Sequence, residues 1–303
     1  MQRKNARKAR VLEQAAQTIT IPADGATLIG TWYPASDAPR ASLLLHGATG
    51  VPQRFYRHFA AWASARGINV LTYDYRDFGA SQTRPMRESQ ANFADWAVHD
   101  QTAALDTLAK LAPTGPLWVL GHSLGGLGLP FQNLPDRVTR ITTIGAGIGH
   151  YTDHPWSYRP KVLAFWFALG PVATALAGYM PGKRLSLGAD LPAGVYWQWR
   201  RWCTRRDFYA SDIGVTLPEP NYSIEGKDIR ICVAADDVVV PPVAVRRYAE
   251  VFASSDAEFR IFDPANYGLP ALKHIEALSK ESAPVWADLL DLPQPDLTCK
   301  ARP

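Results

Sequence analysis

Ser123 stands in Gly121-His122-Ser123-Leu124-Gly125-Gly126, directly after the β-type run Leu117-Trp118-Val119-Leu120. Gly-x-Ser-x-Gly at that place suits a sharp strand-to-helix turn that pushes one hydroxyl out of a sheet. Such a turn strains the serine backbone, and its flanks pass so close to neighbouring chain that small residues are needed. A serine hydroxyl is a poor nucleophile at neutral pH until a base takes its proton, and that base needs an acid to orient it. The chemistry expected of Ser123 is attack on an acyl carbon, given those two partners.

On an elbow of this kind the partners follow in the order Ser, acid, His. Of the seven histidines, His46, His58, His99 and His122 precede Ser123 or touch it, and His150 and His154 follow directly on the strand-like run Val138 to Ile144. His274 lies beyond the later strands, on the loop that runs from Gly268 through Lys273, and is expected as the general base. For the acid, the run Ile229 to Ala234 ends in Ala235-Asp236-Asp237-Val238-Val239-Val240-Pro241. Asp237 is the choice and Asp236 its main rival, since either could turn toward the imidazole; Asp153 and Asp263 are weaker options. The unchosen aspartate would cap the helix that starts near Pro242. Backbone donors for a tetrahedral oxyanion are expected from the Gly-rich turn His46-Gly47-Ala48-Thr49-Gly50 and from the elbow, namely the N–H groups of Ala48 and Leu124.

The elements that must hold these residues alternate. Gln17 to Ile21 and Ala26 to Tyr33 read as a hairpin, and Ala41 to Leu45 is a continuous apolar run as in a parallel strand covered on both faces. Phe55 to Ala65 has helical spacing, Ile68 to Tyr73 is a strand, and Ala91 to Leu111 is a long amphipathic helix. Val138 to Ile144, Ile229 to Ala234 and Glu258 to Phe262 continue the strand series, Tyr248 lies in an intervening helix, and Ile275 to Leu290 reads as the last helix. Strands and helices alternating in this way specify an α/β fold with a mostly parallel central sheet and helices on both faces.

Residues 150–215 break that rhythm and form an expected helical cap inserted into the core of 16–149 and 216–303, with a basic tail at 1–15. Five of the ten tryptophans lie in the insert, at 156, 166, 197, 199 and 202. Val162 to Met180 carries no charge, but Gly170-Pro171 at its centre favours two short helices bent at Pro171 and packed over the core. A membrane-resting or membrane-spanning element, which Arg200, Arg201, Arg205 and Arg206 would suit, is the less favoured reading. The preferred one has a solvated helix face with tryptophans turned inward.

The chain of 303 residues has 47% apolar and 20% charged residues, as in a soluble globular protein. Its net charge of +4 comes from Arg3, Lys4, Arg7, Lys8 and Arg10; without these five, 27 basic residues face 28 acidic ones. The neutral body gives no ground for a nucleic-acid partner. Cys203, Cys232 and Cys299 lack metal-like spacing, and Val11-Leu12-Glu13-Gln14 is not the apolar core of a signal peptide. A cytoplasmic location is expected. Gly145-Ala146-Gly147-Ile148-Gly149 has the wrong spacing for a dinucleotide site, and His150, Asp153 and His154 do not converge on a metal, so no cofactor or metal is expected.

His46-Gly47-Ala48-Thr49-Gly50, Tyr73-Asp74-Tyr75-Arg76-Asp77-Phe78-Gly79-Ala80-Ser81, the elbow, Asp237 with Val240-Pro241, and His274 together resemble an α/β-hydrolase over nearly the whole chain. The departures are Asp77, where the family usually has Gly, and Lys273-His274-Ile275-Glu276, where many members have Gly-His-x-Gly. The cap resembles that of a bacterial subset of serine hydrolases. The resemblance implies the fold and the triad roles of Ser123, His274 and Asp237. The reading is a serine hydrolase of an ester, thioester or related acyl bond on a small, apolar substrate. An acyltransferase with the same triad and a non-catalytic ligand-binding protein are the alternatives. The oligomeric state is left open.

Overall fold

The computed structural model describes residues 16–35, 38–186, 188–252 and 256–293. The basic tail at 1–15 and Cys299 lie outside the described residues. Ten strands occur among them: β1 (Gln17–Ala23), β2 (Ala26–Tyr33), β3 (Ala41–His46), β4 (Ile68–Tyr73), β5 (Leu117–His122), β6 (Val138–Ile144), β7 (Tyr179–Met180), β8 (Leu191–Pro192), β9 (Asp228–Ala234) and β10 (Glu258–Phe262). Eight of these form one sheet in the order β1-β2-β4-β3-β5-β6-β9-β10. The pairs β1/β2 and β2/β4 are antiparallel, and β4, β3, β5, β6, β9 and β10 run parallel. Every residue of β3, β4 and β5 is buried, as apolar runs covered on both faces must be.

The helices are α1 (Arg57–Ser64), α2 (Gln101–Leu111), α3 (Leu124–Leu127), α4 (Arg159–Leu163), α5 (Leu169–Ala177), α6 (Ala193–Thr204), α7 (Pro242–Glu250) and α8 (Trp286–Leu289). Successive strand residues point to opposite faces, so the sheet divides the core in two. Leu44, Val119 and Ile231 pack with Leu105 and Leu108 of α2 and Tyr248 of α7. Leu43, Leu45 and Leu120 pack with Phe59 and Ala63 of α1 and Trp286 of α8.

Three expected helices differ in detail. The helix expected over Ala91 to Leu111 begins after Asn92, whose side chain and that of Asp95 each accept the other's backbone N–H at 2.9 Å, and its turn Asp95–Asp100 is a π-helix. Ile275 to Leu290 is not one helix. It consists of 3-10 turns at Glu276–Leu278 and Lys280–Val285 and then α8. Pro284 has no N–H to donate, and the Ser282 hydroxyl donates to the Glu276 carbonyl at 2.7 Å. In the third, α4 and α5 are joined by a π-turn at Ala164–Ala168, and the distortion lies at Ala168 (φ −129°, ψ −86°), not at Pro171. Pro171 falls in the first turn of α5, where a missing N–H is not felt.

The segment between β6 and β9 contains α4, α5, α6 and the antiparallel pair β7/β8, a small ladder that the sequence pattern did not announce. Trp166 and Trp202 are buried there, as expected of inward tryptophans, and Trp199 is half-buried, but Trp156 and Trp197 are exposed.

Candidate active site

β5 delivers Ser123 at the sheet's end, and α3 starts at the next residue. Ser123 has φ 54° and ψ −115°, a left-handed backbone that side-chain-bearing residues avoid and that is stored strain at functional sites. The glycines around it are imposed by contact. A Cβ on Gly121 would come to 2.6 Å from the Gly125 carbonyl oxygen, and one on Gly125 would overlap the His46 carbonyl.

The Ser123 hydroxyl lies 3.0 Å from Nε2 of His274, and Nδ1 of His274 lies 2.7 Å from Oδ2 of Asp237. The carboxylate accepts, so Nδ1 carries the proton and Nε2 is left to accept from the serine O–H. The other oxygen of Asp237 accepts the N–H groups of Val239 and Val240 at 2.9 and 2.8 Å. Three donors on one buried carboxylate fix its plane and its orientation toward the imidazole. Asp236 turns the other way, and its two oxygens accept the N–H groups of Leu272 and Lys273 at 3.0 and 2.9 Å. Of the other acids considered, Asp153 pairs with Arg247 at 2.9 Å, and Asp263 caps its own 3-10 turn through the Ala265 N–H.

Lys273 has φ 50° and Asp77 has φ 55°. The left-handed conformation that glycine adopts freely is thus kept at two of the three positions where this chain departs from the family pattern, while Glu276 lies in a 3-10 turn. At Lys273 the bond from its N–H to Asp236 helps to hold that conformation; at Asp77 the Ser89 hydroxyl donates to the carboxylate at 2.7 Å.

Leu124 is the first residue of α3, so its N–H has no acceptor within the helix and heads the turn beside Ser123. Ala48 differs from expectation. Its N–H donates to the Tyr56 hydroxyl at 2.8 Å and is directed into the interior. Tyr56 also meets Nδ1 of His122 at 3.0 Å, and Nε2 of His122 meets the His274 carbonyl at 3.0 Å. A carbonyl only accepts, so His122 donates from Nε2 and accepts the Tyr56 O–H at Nδ1. Burial pushes the His122 imidazole down to about 3, which keeps it neutral as this arrangement requires. One chain of hydrogen bonds therefore joins the turn after β3, the residue before Ser123 and the backbone of His274.

Sequence reasoning missed Tyr56 and the role of His122, whereas the run from Gly145 to Gly149 reads from the sequence as a small-residue turn at the rim of the site. Gly145 has φ +67°, and a Cβ there would stand 2.9 Å from Cε1 of His274, so the small-residue turn after β6 makes room for the imidazole. No signal along the chain marks Tyr56, because its partners are 8 and 66 residues away. Two surface clefts, of about 540 and 640 Å³, are lined by residues other than Ser123, His274 and Asp237.

An elbow serine, a following acid and a last-loop histidine at the end of a mostly parallel sheet define the α/β-hydrolase class. The sequence model of the alpha/beta hydrolase family matches residues 43–281, and the chain belongs to that family. It is 31% identical over 119 residues to the uncharacterized protein YfhR of Salmonella typhi, a match covering 37% of this chain and 38% of that protein. The chain thus spans well under half the length of that curated relative. Among solved structures it is similar in fold to a soluble variant of monoglyceride lipase from Saccharomyces cerevisiae (TM-score 0.61, 17% identity, 91% of this chain and 94% of that one). It is also similar to an esterase from Pyrococcus furiosus (TM-score 0.55, 15% identity, 91% and 88%).

Proposed function

We propose that the protein is a serine hydrolase of carboxylic esters, thioesters or related acyl bonds. The observation that carries this reading is the hydrogen-bonded line from the Ser123 hydroxyl through His274 to Asp237. Ser123 Oγ attacks the acyl carbon while Nε2 of His274 takes its proton, and Asp237 stabilises the imidazolium that results. The leaving alkoxide or thiolate takes that proton from His274 as the acyl-enzyme forms. His274 then draws a proton from water, whose oxygen attacks the ester and returns Ser123. The Leu124 N–H, at the positive end of α3, is one oxyanion donor. Ala48 serves as the second donor only by exchanging Tyr56 for the oxyanion. An apolar acyl group suits the aromatic segment between β6 and β9.

Labelling with a fluorophosphonate probe tests the reading. The native chain should be modified and Ser123→Ala should not; an adduct that persists in Ser123→Ala refutes it. Across p-nitrophenyl esters of rising chain length, kcat/KM should rise from acetyl toward octanoyl. The reverse order removes the apolar acyl pocket.

A further inference from the structure

Residues 159–177 form one helical run whose most apolar stretch is only 22% buried. Its buried side chains, Val162, Trp166 and Thr174, fall with Gly170 on a seam of four-residue steps that faces the protein. Leu163, Phe167, Leu169, Val172 and Leu176 lie outward, with Val172 58% and Leu176 84% exposed. Trp156, at the foot of the helix, is 80% exposed with the Arg159 guanidinium 4.0 Å from its ring. Soluble proteins rarely leave so continuous an apolar strip in water without a partner.

Charge says which partner. From Asp153 to Asp212 the chain has eight basic residues and four acids, and Lys183, Arg201 and Arg205 are paired with Asp190, Asp212 and Asp207. Lys161 and Arg206 are exposed and carry no ion pair among the described residues. A second copy of the same basic surface would be repelled, whereas an anionic lipid surface complements both the apolar strip and its cations. The helix has the length and composition to cross a bilayer, but side chains of α6 tie it down. The Tyr196 hydroxyl donates to the Phe165 carbonyl at 2.7 Å and Arg200 Nε to the Trp166 carbonyl at 2.5 Å.

We propose that the outer face of residues 156–177 docks in the plane of an anionic phospholipid surface. The docked strip begins beside the catalytic groups, since His154 Nδ1 donates to the Val238 carbonyl at 2.9 Å, next to Asp237. Where the hydrolase reading holds, lipid-borne esters are its substrate class, and only that clause rests on it.

The test is co-sedimentation of the full chain with vesicles of phosphatidylcholine alone or with about one-third phosphatidylglycerol. Binding should be at least about tenfold tighter to the anionic vesicles and weaken with salt. Val172→Asp/Leu176→Asp should abolish it while hydrolysis of a short soluble ester is unchanged, which shows that the variant is folded. Ser123→Ala should bind like the native chain, so loss of the hydrolase reading and loss of docking are separate results. No vesicle binding overturns the proposal. So does binding that survives the double variant or disappears on removal of residues 1–15. A dimer that dissociates in the double variant without vesicle binding assigns the strip to a second copy and overturns it as well.

Discussion

Asp236 and Asp237 are neighbours in sequence and hold His274 from two sides. Asp237 takes the imidazole Nδ1–H, while Asp236 takes the N–H groups of the two residues that lead into His274. One strand end thereby sets both the ring and the loop that carries it. The rivalry between the two acids resolves in space into two tasks.

Their substitution should separate these tasks. Asp237→Asn should lower kcat by about 10³ to 10⁴, as expected when the base loses its tautomer and orientation. Asp236→Asn keeps one acceptor for the loop and should lower kcat by about tenfold. Steady-state kinetics on a soluble ester measures both, and equal losses would contradict the division.

Tyr56→Phe removes the acceptor of the Ala48 N–H and the donor to His122. Two buried polar groups lose their partner, so stability should fall by about 1–3 kcal/mol in denaturant unfolding. If Tyr56 holds the turn for catalysis, kcat falls about tenfold with KM little changed. A rise in kcat would mean instead that Tyr56 competes with the oxyanion for Ala48.

Acid should destabilise the fold early. Burial pushes His46 and His122 down to about 3, whereas an unfolded histidine titrates near about 6.5. Below that value the unfolded chain binds protons that the native one refuses, so this stability is complete above about pH 6.5 and is lost as pH falls toward about 3. At about pH 5 the loss is about 2 kcal/mol for each ring. Urea midpoints at about pH 7.5 and about pH 5 decide it, and an unchanged midpoint would show that these rings do not resist charging.

Lys273→Gly should stabilise the protein by about 1 kcal/mol, because glycine adopts positive φ without the Cβ conflict. The bond from residue 273 N–H to Asp236 uses backbone and is retained. A lower thermal midpoint would show that the lysine side chain supports the loop by other contacts.

The strand series was legible because apolar runs such as Ala41 to Leu45 and Ile68 to Tyr73 are buried along their whole length, and burial leaves a periodicity along the chain. Ile275 to Leu290 misled for the same reason: its apolar spacing persists while Pro284 and the Ser282 hydroxyl break the backbone ladder. The bend expected at Pro171 moved to Ala168 because proline is tolerated in a first turn.

By itself, the sequence determined the sheet, the elbow at Ser123 and the order in which His274 must follow an acid, since these depend on local backbone demands and chain order. Tertiary structure decided what depends on direction. It turned Asp237 toward the imidazole and Asp236 toward the loop, aimed the Ala48 N–H at Tyr56, and left Leu176 in water while Trp166 is buried. A residue's type states which bonds it is able to make; packing against distant chain selects the one it makes.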